Sequence, residues 1–171
     1  MAIKLAERAV AAVAALYTSA MPAVIAIIDT DRGDFSLPQA TNPDVYTYRL
    51  RERGTHASSV LVEVFDEGGI AFDNPYNDAA NNRAVYALTV NAMVTVFNNA
   101  SWTEAQMNLI RHRYGSALKT LIGQNFELAD NDDATQIATV QGIETTTAGE
   151  QGIEVVTATA EIEVKCEECV A

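Results

Sequence analysis

Apolar positions change their spacing three times along the chain, and each spacing names an element. Over 3–20, Ile3, Ala6, Val10, Val13 and Tyr17 recur at intervals of three and four, the repeat of one helical face. Alanine, the strongest helix former, fills most of the remainder. Pro22 interrupts or restarts this helix, and a second short helix is predicted over 22–28 with proline at its first position. Residues 29–34 read as loop, and Gly33, Pro38 and Pro43 break a connector over 33–44.

Beyond the connector the period falls to two. A short strand is predicted over 45–50 and a stronger, β-branched one over 59–65, stopped by Asp66-Glu67-Gly68-Gly69. The polar stretch 66–82 reads as a long loop, of the kind that is usually functional or mobile. Over 83–98, Tyr86, Leu88, Val90, Ala92, Val94 and Val96 line one face, and Val85, Thr89, Asn91, Thr95 and Phe97 the other, half-polar face. Ser101-Trp102-Thr103-Glu104 matches a capping box ahead of a helix to about residue 122. Its stripe is Met107, Ile110, Tyr114, Ala117, Leu118 and Leu121, and Gly123 is a suitable stop. Two closing strands, 135–145 and 153–165, flank a hairpin loop over 146–152. On the second, Val156, Ala158, Ala160, Ile162 and Val164 alternate with Thr157, Thr159, Glu161 and Glu163. The prediction is an α+β fold, a single domain over 1–171. It has a mainly antiparallel sheet with helices packed on one face and a long C-terminal β-hairpin.

Composition agrees with a folded chain: 171 residues, 49% hydrophobic and 20% charged, enough to bury about two thirds of the unfolded surface. The net charge of −12 argues against a protein that grips nucleic acid by neutralising phosphates. From Glu127 onward there are 11 acidic residues against one basic, Lys165, or −10; the first 126 residues carry 12 against 10, or −2. The C-terminal quarter is thus an acidic surface, either a solubilising face or one that keeps passing DNA from sticking.

The candidate chemistry is sparse. Cys166 and Cys169 form a C-x-x-C at the extreme C-terminus between glutamates. That pair lacks the four ligands of structural zinc and the electropositive setting of a redox pair, so it reads as a frayed, incidental thiol pair. Neither His56 nor His112 has metal-type spacing to it. The uncharged stretch 9–28 is long enough for a membrane span or a leader. Its alanine content, Thr18, Ser19 and Pro22, with Glu7 upstream, favour a buried amphipathic helix. Residues 73–78 carry oxygen ligands but lack the glycine and the late bidentate glutamate of an EF-hand; Asp130, Asp132 and Asp133 read as loop and cap residues. Arg49, Arg51 and Arg53 alternate, as an anion or interface patch or as protection of an edge strand. No nucleophile–base pair, nucleophile elbow or glycine-rich phosphate cradle is present, so no catalytic, cofactor or metal residue is assigned.

The layout resembles the tail-terminator (tail-completion) proteins of long-tailed bacteriophages. The resemblance is carried by the Ala-rich opening helix, Met-Pro-Ala-Val-Ile-Ala-Ile (21–27) running into Asp-Arg-Gly-Asp (31–34), and Ser-Val-Leu-Val-Glu-Val (59–64). The long strand at 84–97, Arg-His-Arg-Tyr-Gly-Ser-Ala-Leu (111–118) and the closing hairpin complete it. It implies a non-enzymatic, cofactor-free virion protein of the tail or neck, assembled in the host cytoplasm as a homohexameric ring. Such a ring caps the tail tube, joins it to neck and connector proteins, and passes DNA through its lumen without specific binding or membrane contact. The resemblance carries over no individual residue; the cationic positions of the helix to residue 122 make Arg111 and Arg113, with Tyr114 beside them, candidate subunit-interface residues, and the acidic hairpin makes Glu150, Glu154, Glu161 and Glu163 candidate lumen residues. The alternatives are another neck component, such as a head-completion or adaptor protein, and, from a different class, a small calcium-dependent enzyme domain using the 66–82 loop. A secreted domain is a third.

Overall fold

The computed structural model describes residues 2–40, 44–50, 59–72, 83–98, 101–128, 135–150 and 153–169. Helix α1 spans Ala2–Ser19 and α2 Met21–Arg32, meeting at a bend of 44°. Pro22 sits in the first turn of α2, where its missing N–H costs nothing. This helix runs four residues past the predicted end. The stop is Gly33, which takes the left-handed conformation (φ +65°) and donates its N–H to Asp29 O; without a Cβ it does so free of the clash other residues meet.

The strands are β1 (Val45–Tyr46), β2 (Val60–Phe72) and β3 (Arg83–Phe97). After α3 (Glu104–Gln124) come β4 (Glu127–Leu128), β5 (Thr135–Glu150) and β6 (Ile153–Cys169). They form one curled sheet in the order β1-β2-β3-β6-β5-β4; β1 runs parallel to β2 and every other pair is antiparallel. The α+β class, the helix-backed sheet and the long C-terminal hairpin are all present.

Three boundaries differ from expectation, each for a local reason. β2 does not stop at Asp66-Glu67-Gly68-Gly69. Its register to β3 shifts between Asp66 and Ile70, and Gly68 takes φ +82° there, so two extra residues are absorbed as a bulge and pairing resumes to Phe72. The predicted loop 66–82 is therefore strand as far as residue 72, and 73–82, with the candidate calcium segment, lies outside the described residues. The β5–β6 hairpin is longer than predicted, pairing from Thr135↔Glu167 to Glu150↔Ile153. The Thr145-Thr146-Thr147 run suits a pleated surface, and the hydroxyls of Thr146 and Thr157 meet across the strands at 2.5 Å. α3 starts two residues later than the predicted box: Thr103 is the N-cap and Gln106 completes the reciprocal pair. Its stop is Asn125 rather than Gly123, with Asn125 Nδ2 donating to Leu121 O.

All three helices lie on one face of the sheet. Ala9 and Val13 of α1 pack on the β2 side of one core with Val60, Val62 and Val64, Val24 and Ile25 of α2 join it beside α3, and the predicted α3 stripe shares it with Val156, Ala158, Ala160, Ile162 and Val164 of β6. Among the described residues no single helix is long and apolar enough to cross a membrane; the bent α1–α2 pair passes on length and composition together. Cys166 is buried in this core and β6 pairs as far as Arg83↔Cys169, so the thiol segment is strand rather than a frayed end.

Candidate functional site

Among the described residues the opposite face of the sheet carries no helix, and its two halves differ. At the β2 end the chain after β1 crosses it. Leu61, Phe97 and Val155 form a second small core there with Tyr46 and Leu50, and fully buried Glu63 accepts the Leu50 N–H at 2.7 Å. The Arg49 guanidinium stands over the Phe65 ring at 5.5 Å. Arg51 and Arg53 lie outside the described residues.

Among the described residues nothing covers the β5–β6 half. Register places Thr139 opposite Glu163, Gly142 opposite Glu161, Glu144 opposite Thr159 and Thr146 opposite Thr157, all on this face. Glu161 and Glu144 are exposed, and Glu163 is half-buried with Lys165 Nζ at 3.7 Å. The result is a polar floor of threonines bearing three carboxylates and one ammonium. Such a floor carries a net negative charge, its one ammonium lying beside a carboxylate, and lacks the clustered cations that hold phosphate.

The four candidate lumen glutamates divide. Glu161 and Glu163 share the bare face. Glu154 does not: it has the parity of Val156, and its Oε2 accepts Asn98 Nδ2 at 3.3 Å where β3 ends. The backbone of Glu150 closes β5 at the hairpin turn; its side chain lies outside what is described. Glu144 joins the face and was not among the candidates. The signal that hid it is the one-residue bulge between Val140 and Gly142. Strict alternation from Ala138 and Val140 puts Glu144 toward the core, and the extra residue turns it outward.

The candidate interface residues of α3 are corrected more sharply. Arg113 and Tyr114 are buried inside the chain. Arg113 makes a two-pronged contact with Asp34, at 2.7 Å and 2.5 Å, and its guanidinium lies over the Phe35 ring at 4.7 Å. This bonding holds the Asp34 carboxyl down at about 2, below its ordinary 3.8. Tyr114 donates its hydroxyl to Pro38 O, and burial raises its phenol well above the ordinary range, as it does for Tyr17. Asp29 accepts the Leu37 N–H through both carboxylate oxygens, at 3.0 Å and 3.2 Å. Together these contacts tie the connector after α2 onto α3 and leave Arg113 and Tyr114 nothing to offer a neighbour.

Arg111 is different. It lies against β5, with Nη1 3.5 Å from Thr147 Oγ1 and Nη2 3.5 Å from His112 Nε2. Its Nε is buried with no acceptor among the described residues. It is a cation short of strong partners.

Among the described residues no three His, Cys, Asp or Glu side chains converge as a metal ion needs. Residues 129–134 and His56 lie outside the described residues. No family model matches the chain, and no curated protein matches it.

Proposed function

We propose that this protein is a structural ring subunit of a long-tailed phage neck, a tail-terminator-like component that caps the tail tube and lets DNA pass through its lumen. The observation that carries the reading is the bare β5–β6 face with Glu144, Glu161 and Glu163 on a threonine floor, backed by helices on its other side. Turned inward in a ring, such a face presents carboxylates to the DNA path. Phosphates facing them are repelled and stay mobile. The repulsion weakens as salt shortens the screening length of ~8–10 Å near physiological ionic strength. The role is architectural, and the partners are further copies of the chain, the tail tube and the adjoining neck proteins.

The test is native mass and negative-stain imaging of the purified protein, followed by charge reversal. The expected wild-type species is a six-membered ring. Glu161→Lys with Glu163→Lys should leave that ring assembled, make it retain DNA and slow ejection. A protein that is monomeric at every concentration, with tail tubes present, overturns the reading. A double variant whose ring falls apart makes these glutamates interface residues and ends the lumen role.

A further inference from the structure

A small cavity lies where the α1–α2 bend, the connector, α3 and strands β2 and β3 meet. Its volume is about 10 Å³, counted as the space open to the centre of a water-sized sphere. One water needs roughly 10–15 Å³ on that measure, so there is room for one water and for nothing larger. Most of the wall is apolar, with Met21, Ile25, Val60, Val62 and Val94. Among the described residues the polar side chains on it are Tyr17, Gln39 and Tyr114.

The two tyrosines stand differently. Tyr114 gives its hydroxyl proton to Pro38 O, which leaves its oxygen able to accept. The Tyr17 hydroxyl is buried and has no hydrogen-bond partner among the described residues. Burial, with the Tyr114 phenol adding to it, raises Tyr17 well above the ordinary range, so this group keeps its proton and remains a donor. Tyr17 and Tyr114 thus line one cavity, a free donor and a free acceptor, beyond direct hydrogen-bond reach of each other. Native structures rarely bury a hydroxyl without a partner, and a polar pair held apart across a small space is commonly bridged by water. Exposed Gln39 lines the same space, and its amide can give or accept a further bond.

We propose that this cavity is a site for one ordered water, which accepts the Tyr17 O–H and donates to the Tyr114 oxygen, with the Gln39 amide as its third partner. Three polar partners around a water-sized space are what separates a wet cavity from an apolar, dry one. The bridge makes one chain of bonds from α1 through the water to Tyr114 of α3, and on through Pro38 O to the connector. It adds α1 to the elements that Arg113–Asp34 and Asp29–Leu37 already tie together. It is a property of the single chain and stands apart from the ring reading.

A high-resolution crystal structure of the full chain tests the site directly. One water should lie about 2.5–3.0 Å from Tyr17 Oη and from Tyr114 Oη. No water there, or Tyr17 Oη bonded to a protein group instead, overturns the proposal. Stability gives a second reading, decided by its sign. With the water in place, Tyr17→Phe removes a made bond and should lower the folding equilibrium constant about three- to tenfold. A hydroxyl without a partner gains from the same change, because phenylalanine has nothing to desolvate, so a constant that rises or stays level overturns the proposal. The two hydroxyls should also be coupled through the water. In a Tyr114→Phe background the loss from Tyr17→Phe should fall to less than about half its size. An undiminished loss there overturns the bridge.

Discussion

Ile162 and Glu161 are neighbours on β6, yet one is fully buried beneath the helices and the other stands in solvent on the bare face. The same sheet thus serves two surfaces of opposite character. The helix face is closed by apolar side chains from all three helices and by polar ties between elements far apart in sequence. Arg113 to Asp34 spans 79 positions and Tyr114 to Pro38 spans 76. The β5–β6 half of the other face is held by its own ladder, with a threonine pair across it. The difference teaches where stability and function reside. The helix face keeps the sheet folded, which leaves the bare face free to carry charges that contribute little to folding.

The largest effect should come from hollowing the closed side. Ile162→Ala removes a fully buried side chain from the centre of the core and should cost about 2–5 kcal/mol. Glu161→Gln, one residue away on the bare face, should move stability by no more than about 0.5 kcal/mol. Chemical denaturation of both variants at one protein concentration checks the contrast. Equal losses would mean that the bare face is packed against something in solution.

A smaller effect separates the faces by pH. The Asp34 carboxyl is held at about 2 by its bonding to Arg113, with the Phe35 N–H adding to it. A group whose folded pKa is depressed contributes stability above its unfolded pKa, and that contribution fades as pH falls through the folded value. The margin of the wild type over Asp34→Asn should be full at pH 5 and shrink between about pH 4 and about pH 2. Urea titrations at these pH values read it directly. A margin that does not change with pH would show that the Arg113–Asp34 tie contributes by shape alone.

Much of this contrast is legible in the sequence, and the failures are physical. The six-residue stripe of β3 and the stripe of α3 were visible because periodicity reports burial directly. Sequence alone leaves Arg113 as an interface cation and Tyr114 as both stripe and interface, because their partners, Asp34 and Pro38, are brought to them only by the fold. Glu63 sits at a polar position of an apolar strand, and nothing local foretells that residues 45–50 will cover it. The bulges on β2 and β5 each hid a piece of the surface. One made Gly68-Gly69 look like a stop, and the other put Glu144 on the wrong face. Glu154 is a different kind of miss, since its even spacing from Val156 already separated it from Glu161 and Glu163.

The smallest expected effect probes how closely the helix face is fitted to the strand that carries the bare one. Gly115 lies in the middle of α3, buried against β5. A Cβ added there would meet the Cγ2 methyls of Thr145 at 3.4 Å and Ile143 at 3.5 Å, an ordinary contact. Alanine in a helix interior is favoured over glycine by roughly 0.5–1 kcal/mol. Gly115→Ala should therefore raise stability, by less than about 1 kcal/mol, and a shift of the denaturation midpoint without change of slope would record it. A larger residue has no such room. Gly115→Leu must lift α3 from Ile143 and Thr145 and should lower stability by about 1–3 kcal/mol. The two variants should thus shift the denaturation midpoint in opposite directions. Loss of stability in Gly115→Ala would mean that the two methyls cannot give, and that glycine is required for α3 to approach β5 this closely.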